Sequence, residues 1–220
     1  MSLSEILYRS VEDRWERTLD KPFVREMAEG SLDEQKFKNY MVQDYYYLKD
    51  YIVTLKLIQE KAGPGDVGTF LGNIIAAVKD ELEAVHIPNM KKLGITDDKL
   101  NDHERAKENS EYAGYQKKIV EDGGVIAGLA AMLHCSWMYA FIGTTMKKRH
   151  PEQIAHSPYK EWFDAYSSDE YLNANQMWID KLDEVSEGID DSRIDELCDI
   201  FRNCADHEDS FWDMAYAAKA

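Results

Sequence analysis

Gly123 to Met146 reads GGVIAGLAAMLHCSWMYAFIGTTM, the longest uncharged run of the chain, and it ends at Lys147-Lys148-Arg149. The run is long enough to cross a bilayer. It is nevertheless rich in Gly and Ala, holds His134, Ser136, Thr144 and Thr145, and stands alone in an otherwise amphipathic chain. We read it as the central buried helix of a soluble bundle, spanning about residues 124–147, with its basic triplet where a helix C-terminus favours cations. Cys135 sits inside it beside Leu133, Trp137, Met138 and Tyr139. A thiol in that setting is either inert filler, since free cysteine is commonly buried as a small hydrophobe, or a nucleophile lining an internal pocket.

Outward from that run the chain reads as helix throughout. Ser31-Leu-Asp-Glu34 has the form of a capping box. It would open a segment to Lys61 in which Phe37, Tyr40, Met41, Asp44, Tyr47 and Leu48 recur at helical spacing. Gly63-Pro64-Gly65 ends that segment. A second helix is predicted from about Val67 to Leu93, crossing Pro88, and the charged stretch Thr96 to Asn109 is read as a solvated loop with a short helix, which either serves as a lid or does nothing. Glu111 to Glu121 is helical, and Gly123-Gly124 breaks the chain before the Cys135 helix. His150-Pro151 starts another helix, ending near Tyr166. Ser167-Ser-Asp-Glu170 caps the next, and Asp191-Ser192 opens the last. Strand-like alternation and internal repeats are absent. The expectation is an all-α, single-domain helical bundle over residues 1–220, of a length that easily buries a core.

Charge and cysteine usage narrow the function. With 42 acidic and 26 basic residues the formal net charge is −16, a field that repels phosphate backbones and anionic membranes. No nucleic-acid or membrane partner is expected. The three cysteines, Cys135, Cys198 and Cys204, form no paired motif. Cys198 and Cys204 are six apart, on different helix faces, so neither a bridge nor a metal clip is implied. An odd, scattered set suits a reducing, cytoplasmic setting, and the charged N-terminus has no signal-peptide core.

Several polar residues fall on apolar stripes. Asp44 shares a face with Tyr47 and Leu48, Cys135 lies one turn before Tyr139, and Glu208 lies three residues before Phe211. Tyr112 and Tyr115 form a further aromatic pair. A carboxylate on a core-facing stripe is expensive unless a donor or ligand meets it. Together these positions describe a pocket with two acids, one thiol and several phenols.

These residues, in this order, resemble the TenA proteins (thiaminase II), a family with the haem-oxygenase-like helical fold. The resemblance runs from Phe23 to Ala215. It lies in Phe23, Gly30, Leu32, Phe37, Tyr40 and Gln43-Asp44…Tyr47; in Tyr112…Tyr115 and Cys135…Trp137…Tyr139; and in Tyr159-Lys-Glu-Trp162…Tyr166-Ser167 and Glu208…Phe211-Trp212. Cys135 places the chain in the thiol-bearing branch. His134, Ser136 and Phe163 depart from the family pattern and flank the site.

The resemblance implies a hydrolase of 4-amino-2-methylpyrimidines carrying a leaving group on the 5-methylene: thiazole in thiamin, ammonia in 4-amino-5-aminomethyl-2-methylpyrimidine. No cofactor or metal is implied. Cys135 would add to ring carbon C6 so that electrons can be pushed out through the methylene, the strategy of covalent catalysis. Asp44 would hold the 4-amino group and adjacent ring nitrogen, and Glu208 would carry the proton. Tyr47, Tyr139 and Phe211 would form walls, while Tyr112 and Tyr166 would offer hydroxyls. Two acids near a thiol disfavour the thiolate, so the scheme wants a base during attack; Glu208 fits, whereas His134 points about 100° from Cys135 and reads as structural. The resemblance also implies a homotetramer, for which Trp15, Trp162, Trp178 and Tyr216 could serve as interface anchors or equally belong to the core.

Two rival readings stand beside this one. Glu83-Ala-Val-His86 has the Glu-x-x-His spacing of di-iron bundles, yet no second such pair occurs in the sequence; a surface or supporting pair is the plainer reading. A pyrimidine-binding regulator without turnover is the other, and it leaves Cys135 unused.

Overall fold

Ser2 accepts the backbone N–H of Glu5 while the Glu5 carboxylate accepts that of Ser2, a capping box that opens α1 (Leu3–Leu19). Pro22 starts α2 (Pro22–Glu29), at the position where its missing N–H has no partner to lose. This computed structural model describes residues 1–96, 100 and 103–217, the side chains of 84 and 85 excepted. All regular structure among the described residues is helical.

The cap of the next helix differs from the sequence expectation. The N–H groups of Ser31 and Leu32 both reach back to the Glu26 carbonyl, at 2.9 and 3.1 Å, so Ser31 belongs to the termination of α2. Asp33 caps α3 (Glu34–Ala62) instead, its carboxylate accepting the Gln35 N–H at 2.8 Å. Gly63 closes that helix.

α4 (Asp66–Glu81) passes into a one-turn π segment, Leu82–His86, and then α5 (Ile87–Lys92). The chain does cross Pro88, but with a changed register. Pro88 has no N–H to give the carbonyl four residues back, and the Ile87 N–H bonds Leu82 O, five residues back.

α6 (Lys107–Arg149) begins four residues earlier than expected and continues through the glycine pair with a kink. The kink sits at Gly124, φ 75° and ψ −158°, a conformation that only glycine adopts without strain. The expected helix from His150 to Tyr166 is two, α7 (Pro151–His156) and α8 (Lys160–Tyr166). Pro158 forces Ser157 into extended backbone, ψ 139°. The corner is held by Ser157 Oγ donating to Met27 O and Tyr159 Oη donating to Leu32 O, both at 2.7 Å. α9 (Asp169–Val185) is capped by Ser168, and α10 (Asp191–Ala217) is last.

The chain forms two compact units, Met1–Leu32 with Leu129–Asp213, and Asp33–Gly128 with Met214–Ala220. The first is built around Trp15, which is fully buried against Trp137, Phe141, Phe201 and His134. In the second, α3 lies along α4 and the π segment, with Leu55, Ile58 and Leu71 buried. α6 is the one described helix long and apolar enough to cross a membrane, and it is mostly buried within the protein.

Candidate functional site

Asp44 is set on α3 at a turn fixed by its neighbour. Gln43 accepts the Ala106 N–H and donates to Glu104 O, both at 3.0 Å, and its carbonyl accepts from Asn109. Of the expected lid at 96–109, residues 97–99, 101 and 102 lie outside the described residues; the rest is tied to α3 by these bonds and by Tyr46 Oη donating to Leu100 O at 2.8 Å.

Asp44 itself is 4 % exposed, and burial pushes its carboxyl up to about 7. His86, also buried, stands with Nδ1 3.6 Å from Asp44 Oδ2 and Nε2 2.9 Å from Met41 O. A carbonyl only accepts, so Nε2 carries the hydrogen and the Nδ1 lone pair faces Asp44. The Tyr45 ring covers the imidazole at 6.5 Å and 22°. Glu81 completes the group: burial first, then the Asp44 charge, push its carboxyl up to about 7 against the opposing pull of His86. His86 is lowered by burial, opposed by its bond to Met41 and by Glu81.

Tyr47, one turn after Asp44, stacks on Tyr112 at 5.1 Å and 20° and donates its hydroxyl to Gln116 Oε1 at 3.0 Å. The structure therefore brings Asp44, Tyr47 and Tyr112 into one unit.

Cys135, Tyr139, Tyr166, Glu208 and Phe211 lie in the other unit. Two contacts fix the register of α10 on α6. The Cys204 thiol reaches Ala131 O at 3.7 Å, and two turns further along both helices Trp212 meets Tyr139 at 5.4 Å. The helices thus run parallel, in step. Cys135 lies midway between Ala131 and Tyr139, and Glu208 lies midway between Cys204 and Trp212, each on the same stripe as its flanking residues. Cys135 and Glu208 accordingly occupy one level on facing stripes. Cys135 is half-buried and Glu208 is 1 % exposed. Burial, then the Glu208 charge, raise the Cys204 thiol well above its ordinary value.

Tyr166 packs edge-on to Tyr139 at 4.9 Å and beside Trp162 at 4.6 Å. Gly143, one turn beyond Tyr139, permits this: a Cβ there would lie 3.0 Å from the Tyr166 backbone carbon. Phe211 is buried. His134 serves the core, its Nε2 accepting from Trp15 Nε1 at 3.1 Å, and burial with Arg14 lowers it to about 3. A ring so hard to protonate is no base for the thiol.

One expectation is corrected, and one open choice is decided. Glu83 and His86 are not a pair: Glu83 is exposed while His86 is buried. Glu81, the last residue of α4, is the acid whose charge acts on His86 and which the Asp44 charge acts on. The i,i+3 spacing assumed an unbroken α-helix, and Pro88 was the signal that the register changes here. Of the two readings open for the tryptophans, anchor or core, Trp15, Trp162 and Trp178 take the second: they are only 0, 8 and 2 % exposed. Tyr216 is half-exposed beneath the Lys36 ammonium.

The fold defines a class: the chain is similar to a haem oxygenase of Leptospira interrogans over 97 % of this chain and 100 % of that one, with a TM-score of 0.64 at 15 % identity. Residues 8–218 match the TENA/THI-4/PQQC family model, and the chain belongs to that family. An aminopyrimidine aminohydrolase of Halalkalibacterium halodurans is 33 % identical over 217 residues, covering 98 % of this chain and 96 % of that protein. A TenA homologue from P. horikoshii OT3 superimposes with a TM-score of 0.85 at 29 % identity, covering 98 and 99 % of the two chains.

Proposed function

We propose that this protein is an aminopyrimidine aminohydrolase (thiaminase II) of thiamin pyrimidine salvage. It converts 4-amino-5-aminomethyl-2-methylpyrimidine and water to the 5-hydroxymethyl compound and ammonia, and thiamin to the same pyrimidine plus thiazole. Beyond family membership, the observation that supports this reading is the common level of Cys135 and Glu208 on two parallel helices. A nucleophile and its base need that arrangement.

In this scheme the Sγ–C6 bond forms as the thiol proton passes to Glu208. The ring electrons expel the 5-substituent, which leaves with a proton, as ammonia in the salvage reaction. Water adds to the exposed methylene, the Sγ–C6 bond breaks, and the thiol is restored. Asp44 pairs with the 4-amino group and the neighbouring ring nitrogen; Tyr47, Tyr139 and Phe211 flank the ring; Tyr112 and Tyr166 supply hydroxyls. Recovering the pyrimidine wastes no intact cofactor, so the aminomethyl compound is the preferred substrate. No resident cofactor or metal enters the scheme. The 220 residues act as one functional domain, cytoplasmic, assembled as a homotetramer, with neither nucleic acid nor membrane as partner.

Product analysis by liquid chromatography and mass spectrometry tests the assignment. The protein should release hydroxymethyl-pyrimidine from the aminomethyl substrate faster than from thiamin, and Cys135→Ser should lose at least about a thousandfold in kcat, as removal of a covalent nucleophile does. Undiminished turnover by the variant would remove Cys135 from its role; no product from either substrate would sink the assignment.

A further inference from the structure

One residue after Cys135, α6 is gripped by α9. Tyr171 Oη donates to the Ser136 carbonyl at 3.2 Å, and Asn175 Nδ2 donates to the Tyr171 carbonyl at 3.0 Å. Ser136 Oγ donates to Asn175 Oδ1 at 3.0 Å, with Tyr171 Oη at 3.3 Å as the longer branch. Each donor has its own acceptor, so the bonds form a closed cycle. Tyr171 and Asn175 lie one turn apart on one stripe of α9, and both reach the same residue of α6. Asn175 is 4 % exposed, and a buried amide is costly unless it is paired. Two leucines would join the helices without that demand. A satisfied polar cycle instead fixes one register and one rotation of α9 on the turn that carries Cys135.

The ring of Tyr171 carries the same constraint to a second site residue. It packs edge-on to Tyr166 at 5.1 Å and 85°, and Tyr166 in turn packs on Tyr139, one turn beyond Cys135. Contacts therefore run from the Cys135 turn to Tyr171, to Tyr166, to Tyr139 and back into α6, a closed circuit. The joint between α8 and α9 is short and tied at both ends: Ser167 Oγ donates to Phe163 O at 2.7 Å, and Ser168 Oγ accepts the Tyr171 N–H at 3.2 Å. We propose that Tyr171 is a positioning residue of the reaction: its hydroxyl holds the α6 turn that aims the Cys135 thiol, and its ring sets Tyr166 against the pyrimidine. Asn175 supports it through Ser136. The inference rests on the proposed function, which makes Cys135 the nucleophile and Tyr166 a substrate contact. Such support matters to bond formation, because misplacing a reacting atom by about 1 Å costs on the order of 100-fold in rate.

Steady-state kinetics of aminomethyl-pyrimidine hydrolysis, with thermal unfolding on the same samples, separate the two contributions of this side chain. Tyr171→Phe keeps the ring and removes the hydroxyl, so kcat should fall about tenfold while KM stays within about twofold. Tyr171→Leu also removes the edge contact, so kcat should fall at least as far and KM should rise about tenfold as Tyr166 loses its support. Ser4→Ala is the matched control. It breaks the bond from Ser4 Oγ to Asp183 Oδ2, 2.6 Å, near the other end of α9, and so should lower Tm and leave kcat and KM at their wild-type values. If wild type is active and both Tyr171 variants keep its kcat and KM, or Ser4→Ala at an equal loss of Tm reproduces their kinetics, the positioning role is wrong while the function stands. Should Tyr171→Leu fail to fold, Tyr171→Phe decides alone through its kcat. If wild type makes no product, the functional reading fails and takes this inference with it.

Discussion

At the level of single residues, Asp44 shows what a site asks of a fold. Its carboxyl titrates at about 7 where the ordinary value is 3.8. Between those values the folded chain holds a proton that the unfolded chain releases, so stability is present at low pH and lost as pH rises through that window. Asp44→Asn should therefore strengthen the fold at pH 8 by about 2–4 kcal/mol and leave it nearly unchanged at pH 4, while substrate binding collapses. Urea unfolding at the two pH values measures this, and an equal shift at both would rule out the buried carboxyl as the source. The stripe positions of Asp44, Cys135 and Glu208 were legible in the sequence, because an ionisable group at helical spacing among apolar residues stands out. Glu81 was not. The turn from Leu82 to His86 carries one inserted residue, and periodicity reasoning assumes that no such insertion occurs.

At the level of elements, the helices were read well and their joints less so. Proline and glycine located the joints, but their effect depends on what the freed backbone groups meet. Ser31 looked like a cap until its N–H was claimed by the Glu26 carbonyl; Pro158 split one helix, whereas Pro88 merely widened a turn in another. Close approach between elements is likewise invisible in sequence, and Gly143 is the instance that matters for the site. Alanine in an exposed helix interior is worth about 1 kcal/mol over glycine. At Gly143 a Cβ would press on the Tyr166 backbone at 3.0 Å, whereas at Gly114, on the same helix, it meets open space. Overpacking of this kind costs about 1–3 kcal/mol. Gly143→Ala should thus destabilise by about 1 kcal/mol net and reduce kcat/KM through displacement of Tyr166, while Gly114→Ala should stabilise with activity intact. Thermal unfolding and steady-state kinetics on the two variants decide it; matching gains in stability would show that α8 yields freely.

At the level of the whole molecule, charge and assembly meet. A tryptophan at helical spacing looks alike whether it faces a core or a partner, which is why Trp15, Trp162 and Trp178 could be offered as anchors and proved to be interior. Interface candidates must instead come from what stays outside: Val53 on α3 and Met177 on α9 are large apolar side chains exposed by 55 and 61 %. Four copies of a chain of net charge −16 repel one another. That repulsion reaches about 30 Å at 0.01 M salt and about 10 Å at 0.1 M, so assembly should tighten as salt rises. Sedimentation velocity is expected to show a species of about four times the 25.4 kDa chain mass at moderate salt, giving way to smaller species near 10 mM. Val53→Glu or Met177→Glu should shift the balance further toward small species at every salt concentration if its patch is buried on assembly. A single species of chain mass at both ionic strengths would dismiss the tetramer. Dissociation on adding salt would mean that complementary charges, and not apolar patches, hold the copies together.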